Sequence, residues 1–251
     1  MERGVDLVVP IKNLDRAKSR LRGTVPAHKH AGLVLTLLLD TVTAAAQAGG
    51  VRRVLVICED ERIPAALAGT GVECVDERGL PGLNAALRFG AAYLRTPGST
   101  VGALQADLPA LRPADLSAAI EEAAGRRAYC ADRPGTGTTL LLAAPGEPLH
   151  PSFGPRSADA HAATGAVRVG GSLASLRCDV DTEDDLAIAA QIGLGKFTLP
   201  FDHAITRWSE EADADWTEDR ASEVRARPRA RRRQDNIRQI CEATSSTQEE
   251  R

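Results

Sequence analysis

Short apolar runs alternate with helix-patterned segments from residue 5 to residue 195, and this rhythm constrains the fold more than any other feature. Residues 5–11 read V-D-L-V-V-P-I, 51–58 V-R-R-V-L-V-I-C and 100–104 T-V-G-A-L. Such runs are what strands buried within a sheet look like. Shorter strands are expected at 72–75, 128–131, 138–143 and 167–169. Between the strands, residues 28–48 carry helical character, with Leu33, Leu37 and Leu38 at helical spacing, and Gly49-Gly50 stop the helix. Further helices are expected at 63–68, at 83–95, at 113–124 with Pro113 at its start, and at 182–192, where Thr182 caps and Glu183, Asp184 and Asp185 suit the first turn. The alternation specifies an α/β fold, a mixed but mainly parallel sheet flanked by helices. In such sheets ligands bind beyond the carboxyl ends of the strands. The residues just after each strand are therefore where chemistry is to be sought.

The chain has 251 residues, enough for one α/β domain with a full core. Aromatic residues make up only 3%, which disfavours a nucleic-acid binder built on stacking platforms. A net charge of −3 provides no global positive field for polyanions. No apolar run approaches the roughly 20 residues that span a bilayer. The start, M-E-R-G-V-D, lacks the pattern of a secretory signal. The five cysteines, Cys58, Cys74, Cys130, Cys178 and Cys241, are scattered without a C-x-x-C pair and read as reduced thiols. Together these features predict a cytoplasmic protein with no membrane partner. Composition shifts near residue 202. Residues 1–201 are the expected catalytic domain. Residues 202–251, acidic and then arginine-rich, are expected to form a disordered extension, the rival reading being a nucleic-acid or partner-binding arm.

Five constellations could carry chemistry. Lys12, Arg16, Lys18 and Arg20 follow the first strand within nine residues and form either an anion site for a triphosphate or a solvated basic loop. Asp107, in Q-A-D-L-P, follows an apolar strand and is either a hard-oxygen ligand for Mg²⁺ or a turn residue before Pro109. Asp179 and Asp181, one residue apart, share a face if the segment is extended. Combined with Asp107, these carboxylates repel unless a cation sits among them. Gly135-Thr136-Gly137-Thr138-Thr139 is a glycine-rich anion loop or a hairpin-like turn, and no G-K-[ST] makes it a Walker loop. Gly154 and Ser157, in S-F-G-P-R-S, suggest a second anion pocket with Ser157 as N-cap, and His161 lies one turn on, a site residue or a packing one. The loop 79–84, ending in Asn84, faces the nucleobase or ribose, or is a strand-to-helix turn.

Taken in order, P-I-K-N-L-D-R-A-K-S-R-L, G-L-N-A-A-L, Q-A-D-L-P-A-L, D-R-P-G-T-G-T-T, F-G-P-R-S-A-D-A-H and D-V-D-T-E-D-D-L closely resemble the phosphoenolpyruvate/2-phospho-lactate guanylyltransferase family of coenzyme F420 biosynthesis. The resemblance covers residues 5 to about 195. It implies a nucleotide-diphospho-sugar transferase (GT-A-like) fold and transfer of GMP from GTP to phosphoenolpyruvate. It implies Asp107, Asp179 and Asp181 as ligands of two Mg²⁺ ions, and Thr139, Gly154 and Ser157 as the grip on the acceptor. Lys12 and Lys18 would face the GTP phosphates, with Asn84 on the nucleotide. A downstream transferase of F420 assembly is an implied partner. The acceptors 2-phospho-L-lactate and 3-phospho-D-glycerate are alternatives to phosphoenolpyruvate. Relatives acting on molybdopterin usually open with a glycine-rich phosphate loop, and here no glycine follows the first strand before Gly23.

Overall fold

The apolar run after Gly4 becomes β1 (Val5–Ile11), every residue of it buried. A computed structural model describes residues 4–77 and 79–202; the extension, beyond its first residue, lies outside them. Strand periodicity sorts the β1 side chains between two faces. Val5, Leu7, Val9 and Ile11 join one apolar cluster with α1 (His30–Gln47), whereas Val8 faces Gly90 of α3 (Leu83–Leu94). The next strand, β2 (Val51–Cys58), repeats the pattern: Val54, Val56 and Cys58 point to the α1 side and Ile57 toward Gly90. The sheet is thus buried on both faces, as its continuous apolar runs require.

The remaining strands are β3 (Glu73–Asp76), β4 (Thr100–Leu104), β5 (Ala128–Ala131), β6 (Thr138–Leu142) and β7 (Val167–Arg168). The sheet order is β3-β2-β1-β4-β6-β5-β7. β1 pairs in parallel with both β2 and β4, and β5 with β7; only β6 runs against its neighbours. The reversal follows from the connection. Residues 132–137 are too few for the crossover that a parallel return needs, so β5 and β6 pair antiparallel. The other helices are α2 (Arg62–Ala66), α4 (Pro113–Ala123), α5 (Ser157–Ala163), α6 (Ala174–Arg177), α7 (Glu183–Ile192) and α8 (Leu199–Asp202). The helix expected at 28–48 begins instead with a 3₁₀ turn, Ala27–Lys29, and becomes α-helical at His30. With the turn it is long and apolar enough to cross a membrane, yet two thirds of it (67%) is buried inside the fold, so it is a core helix.

A second, smaller cluster positions the ligand edge. Leu21 and Val25, from the loop after β1, pack with Leu33 and Leu37 of α1, Cys178 and Val180, and Leu186 and Ala189 of α7. Burial of leucines of this kind stabilises by roughly 1.5–3 kcal/mol each. The cluster gathers three segments far apart in sequence against the carboxyl end of the sheet.

Candidate active site

The strand order reverses between β1 and β4, which makes the carboxyl ends of these two strands the switch point where an α/β sheet opens a crevice. A cleft of about 400 Å³ lies there, lined by Lys12, Lys18, Arg20, Leu83, Asp107 and Asp181 among others. The loop after β1 is fixed from below. The Leu14 N–H donates to Asp60 Oδ2 at 3.1 Å, and His30 Nε2–H donates to the carbonyl of Ala17 at 2.8 Å. Arg62 ties Asp60 to Asp15 and, against the opposing effect of burial, holds the Asp60 carboxyl well below the usual carboxylate range. Neither Asp60 nor His30 was singled out from the sequence. Asp60 carried the same signal as Asp107, a carboxylate just beyond an apolar strand.

Lys18 adopts the left-handed conformation (φ 53°, ψ 46°), which a non-glycine residue occupies at a cost. That backbone sends its ammonium between two carboxylates: Nζ contacts Asp107 Oδ2 and, at 2.5 Å, Asp181 Oδ1. Burial alone lowers the Lys18 pKa, but Asp107 and Asp181 outweigh it and raise it above the usual lysine range. The Val180 N–H donates to the Asp107 carbonyl at 3.0 Å and the Val180 side chain enters the small cluster. Asp179 and Asp181 are therefore thrown to the other face, beside Asp107, as their spacing predicted. Burial pushes the Asp179 carboxyl up to about 7; the charge on Asp107 adds to the rise and Lys18 offsets part of it. The segment ends in a capping box: Thr182 Oγ1 accepts the Asp185 N–H and the Asp185 carboxylate accepts the Thr182 N–H.

The structure thus brings Lys18, Asp107, Asp179 and Asp181 together, with Lys12 and Arg20 exposed on the cleft wall and Arg16 exposed on the same loop. Among the described residues no three acidic, histidine or cysteine side chains form a ready-made metal cage. The donor set nevertheless suits a hard divalent cation. Asp107 Oδ1 is buried with no hydrogen-bond partner, and the space between Asp107 and Asp181 already holds one cation, the Lys18 ammonium.

Three expectations are corrected. The D-R-P-G-T-G loop is not a free anion cradle: the N–H groups of Gly135, Thr136 and Gly137 donate to Asp132 at 2.7–2.8 Å. The turn reading holds, and Asp132 builds it. Ser157 is the first residue of α5, not its N-cap; Arg156, left-handed at φ 55°, occupies the cap. The N–H groups of Ser157 and Ala158 are taken by the carbonyls of Gly154 and Thr136, both at 3.1 Å. Asn84 spends its amide on the Phe153 backbone, Nδ2 donating to the Phe153 carbonyl at 2.9 Å and Oδ1 accepting the Phe153 N–H at 2.8 Å. It anchors the loop carrying Gly154, while its neighbour Leu83 lines the cleft. Thr139 sits beside the cleft, its carbonyl accepting the Gln105 N–H at 2.9 Å. Thr139 and Ser157 are buried and Gly154 is exposed with φ 143°, a conformation open to glycine.

A basic loop and convergent carboxylates at the β1/β4 switch point, on a sheet with one reversed strand, define the nucleotidyltransferase class. A nucleotidyl transferase from Methanothermobacter thermautotroptrophicus shares the fold, with a TM-score of 0.51 at 21% identity over 75% of this chain and 97% of that one. The model of the family described as "Guanylyl transferase CofC like" matches residues 5–201, and the chain belongs to that family. Among its relatives, the phosphoenolpyruvate guanylyltransferase of Salinispora arenicola is 49% identical over 196 residues, 76% of this chain and 90% of that protein. The protein of the same name from Streptomyces scabiei is 49% identical over 200 residues, 76% of this chain and 93% of its own length.

Proposed function

We propose that this chain is a phosphoenolpyruvate guanylyltransferase that joins GMP from GTP to the phosphate of phosphoenolpyruvate and releases diphosphate, on the route to coenzyme F420. An acceptor phosphate oxygen attacks the α-phosphorus of GTP, and the bond from that phosphorus to the bridging oxygen of the leaving diphosphate breaks. A phosphate monoester is largely ionised at neutral pH, so no general base is required and catalysis rests on positioning and charge neutralisation. The observation that carries the reading is the meeting of Lys18 with Asp107 and Asp181 at the β1/β4 edge, beside the half-buried Asp179.

In this reading Lys12 and Lys18 face the GTP phosphates. Asp107, Asp179 and Asp181 would hold Mg²⁺, two ions being the expected number, which when bound would neutralise phosphate charge. The Lys18 ammonium, paired here with Asp107 and Asp181, would then turn to phosphate oxygens. Thr139, Gly154 and Ser157 grip the acceptor. Asn84 serves the site by holding the Phe153–Gly154 loop, its amide being already engaged. The reading includes a cytoplasmic setting and a downstream transferase that takes up the product. Residues 1–201 form the catalytic domain and residues 202–251 an extension that turnover does not need.

A diphosphate-release assay crossing GTP, ATP and CTP with phosphoenolpyruvate, 2-phospho-L-lactate and 3-phospho-D-glycerate tests this. The expected result is release strongest with GTP and phosphoenolpyruvate. Preference for either other acid moves the acceptor assignment, and release with none of the three acids removes it.

A further inference from the structure

Two polar residues interrupt a buried stretch of α1. Asp40 and Thr41 stand among Leu37, Leu38, Leu39 and Val42, all buried, and are themselves buried. A threonine inside a helix is at best a neutral choice, because its hydroxyl competes for backbone groups. Here the Thr41 hydroxyl donates to the Leu37 carbonyl at 2.8 Å, one turn back, which leaves its oxygen free to accept. It accepts the buried Leu108 N–H at 2.9 Å. That N–H belongs to the peptide unit joining Asp107 to Leu108, and the carbonyl of the same unit accepts the Val180 N–H at 3.0 Å. One peptide plane is thus held at both polar ends, by α1 on one side and by the residue between Asp179 and Asp181 on the other. Asp40 supports the residues that follow. Its carboxylate accepts the N–H groups of Phe197 and Thr198 at 3.0 and 2.7 Å, and the Gly195 N–H of that segment donates to the Pro109 carbonyl at 2.8 Å.

We propose that Thr41 is a positioning residue for the three convergent carboxylates: it fixes the plane of the Asp107–Leu108 peptide, and through that plane both the direction of Asp107 and the register of the D-V-D segment. A planar trans peptide points its N–H and its carbonyl in opposite directions, so a tie at one end sets the other. Val180 takes its place from the Asp107 carbonyl, and Asp179 and Asp181 on either side of it take theirs from Val180. Without the Thr41 oxygen the Leu108 N–H is a buried donor with no acceptor, and the plane loses its tie to α1. Thr36 of the same helix supplies the contrast. It is buried and its hydroxyl donates to the Leu33 carbonyl at 2.8 Å, but among the described residues it holds no loop. This inference rests on the assignment of Asp107, Asp179 and Asp181 to a divalent cation.

The test is Mn²⁺ binding to the full chain, read from the electron paramagnetic resonance of free Mn²⁺, a measurement that needs no turnover. Loss of a group that orients a metal ligand weakens metal affinity by about 10- to 100-fold. Thr41→Val keeps the branched shape without the hydroxyl and is expected to weaken Mn²⁺ binding by about tenfold or more. Thr41→Ser returns the oxygen and is expected to restore binding. Thr36→Val, which removes a buried hydroxyl from the same helix, is expected to bind as wild type does, with circular dichroism showing all three variants folded. In steady-state kinetics Thr41→Val is expected to need about tenfold more Mg²⁺ for half-maximal turnover, and Thr36→Val no more than wild type. Undiminished Mn²⁺ binding in Thr41→Val, no recovery in Thr41→Ser, or equal weakening in Thr36→Val overturns the positioning role. Asp107→Asn separates the two levels. If wild type binds no Mn²⁺, or Asp107→Asn binds it equally well, the carboxylate assignment itself fails; if Asp107→Asn loses the ion while Thr41→Val keeps it, only the role of Thr41 fails.

Discussion

At Asp107 the site reduces to one carboxylate with two dissimilar oxygens: Oδ2 meets the Lys18 ammonium, while Oδ1 is buried without a partner. An asparagine there keeps the shape and removes the charge. Asp107→Asn is expected to fold normally by circular dichroism and to lose turnover by about 100-fold or more, the scale of a lost preorganised electrostatic contact; full turnover in Mg²⁺ contradicts its role. Gly137 is constrained by contact. A Cβ there would lie 2.4 Å from Asp132 Oδ2, inside the carboxylate that organises the turn. Gly137→Ala is therefore expected to cost on the order of 1–3 kcal/mol in chemical denaturation. His161 gives the pH dependence. Burial, with Arg127 adding to it, lowers its pKa from 6.5 to about 4. Above pH 6.5 neither folded nor unfolded chain protonates it, and its contribution to stability is complete. As pH falls from 6.5 toward 4 the unfolded chain takes up a proton that the folded chain refuses. Stability then declines by up to about 3 kcal/mol. Denaturation midpoints of wild type and His161→Gln between pH 4.5 and 8 should diverge on the acid side, and parallel curves would count against the buried neutral ring.

At the scale of elements, most of the sheet was legible because its strands are short apolar runs with clear ends. The runs at 5–11, 51–58 and 100–104 coincide with β1, β2 and β4, and Thr182 caps α7 as its type and the acidic turn suggested. The direction of β6 was not legible, since a strand's residues carry no sign of which way it runs. The information sat instead in the six-residue connection at 132–137. The two expected anion loops misled for a related reason. Composition shows that N–H groups are accessible there, not who uses them, and here Asp132, Gly154 and Thr136 use them. Asn84 misled in the same way, because the backbone of a residue 69 positions away, Phe153, claims its amide. The D-V-D segment was readable because period two is a local property, and the buried Val180 between the two aspartates enforces it. Its register depends on the Thr182–Asp185 capping box. Thr182→Ala is expected to lower stability by about 1 kcal/mol in urea denaturation, and a change well below this would show the box to be dispensable.

Over the whole molecule, the proposed chemistry centres on what the β1/β4 edge gathers: the loop after β1, Asp107 after β4, and the segment before α7. The small apolar cluster of Leu21, Ala110, Val180 and Leu186 welds these three together. Truncation after residue 201 is accordingly expected to retain turnover with GTP and phosphoenolpyruvate, whereas a function lodged in the arginine-rich segment disappears with it. The central claim is that two anionic reactants are joined at this edge through a new phosphorus–oxygen bond. The most direct measurement is ³¹P NMR of the protein incubated with GTP, phosphoenolpyruvate and Mg²⁺. The account predicts two mutually coupled resonances of an unsymmetrical diphosphodiester, growing together with the diphosphate signal. Conversion of GTP to GDP and phosphate, or unchanged spectra with a folded protein, would contradict it.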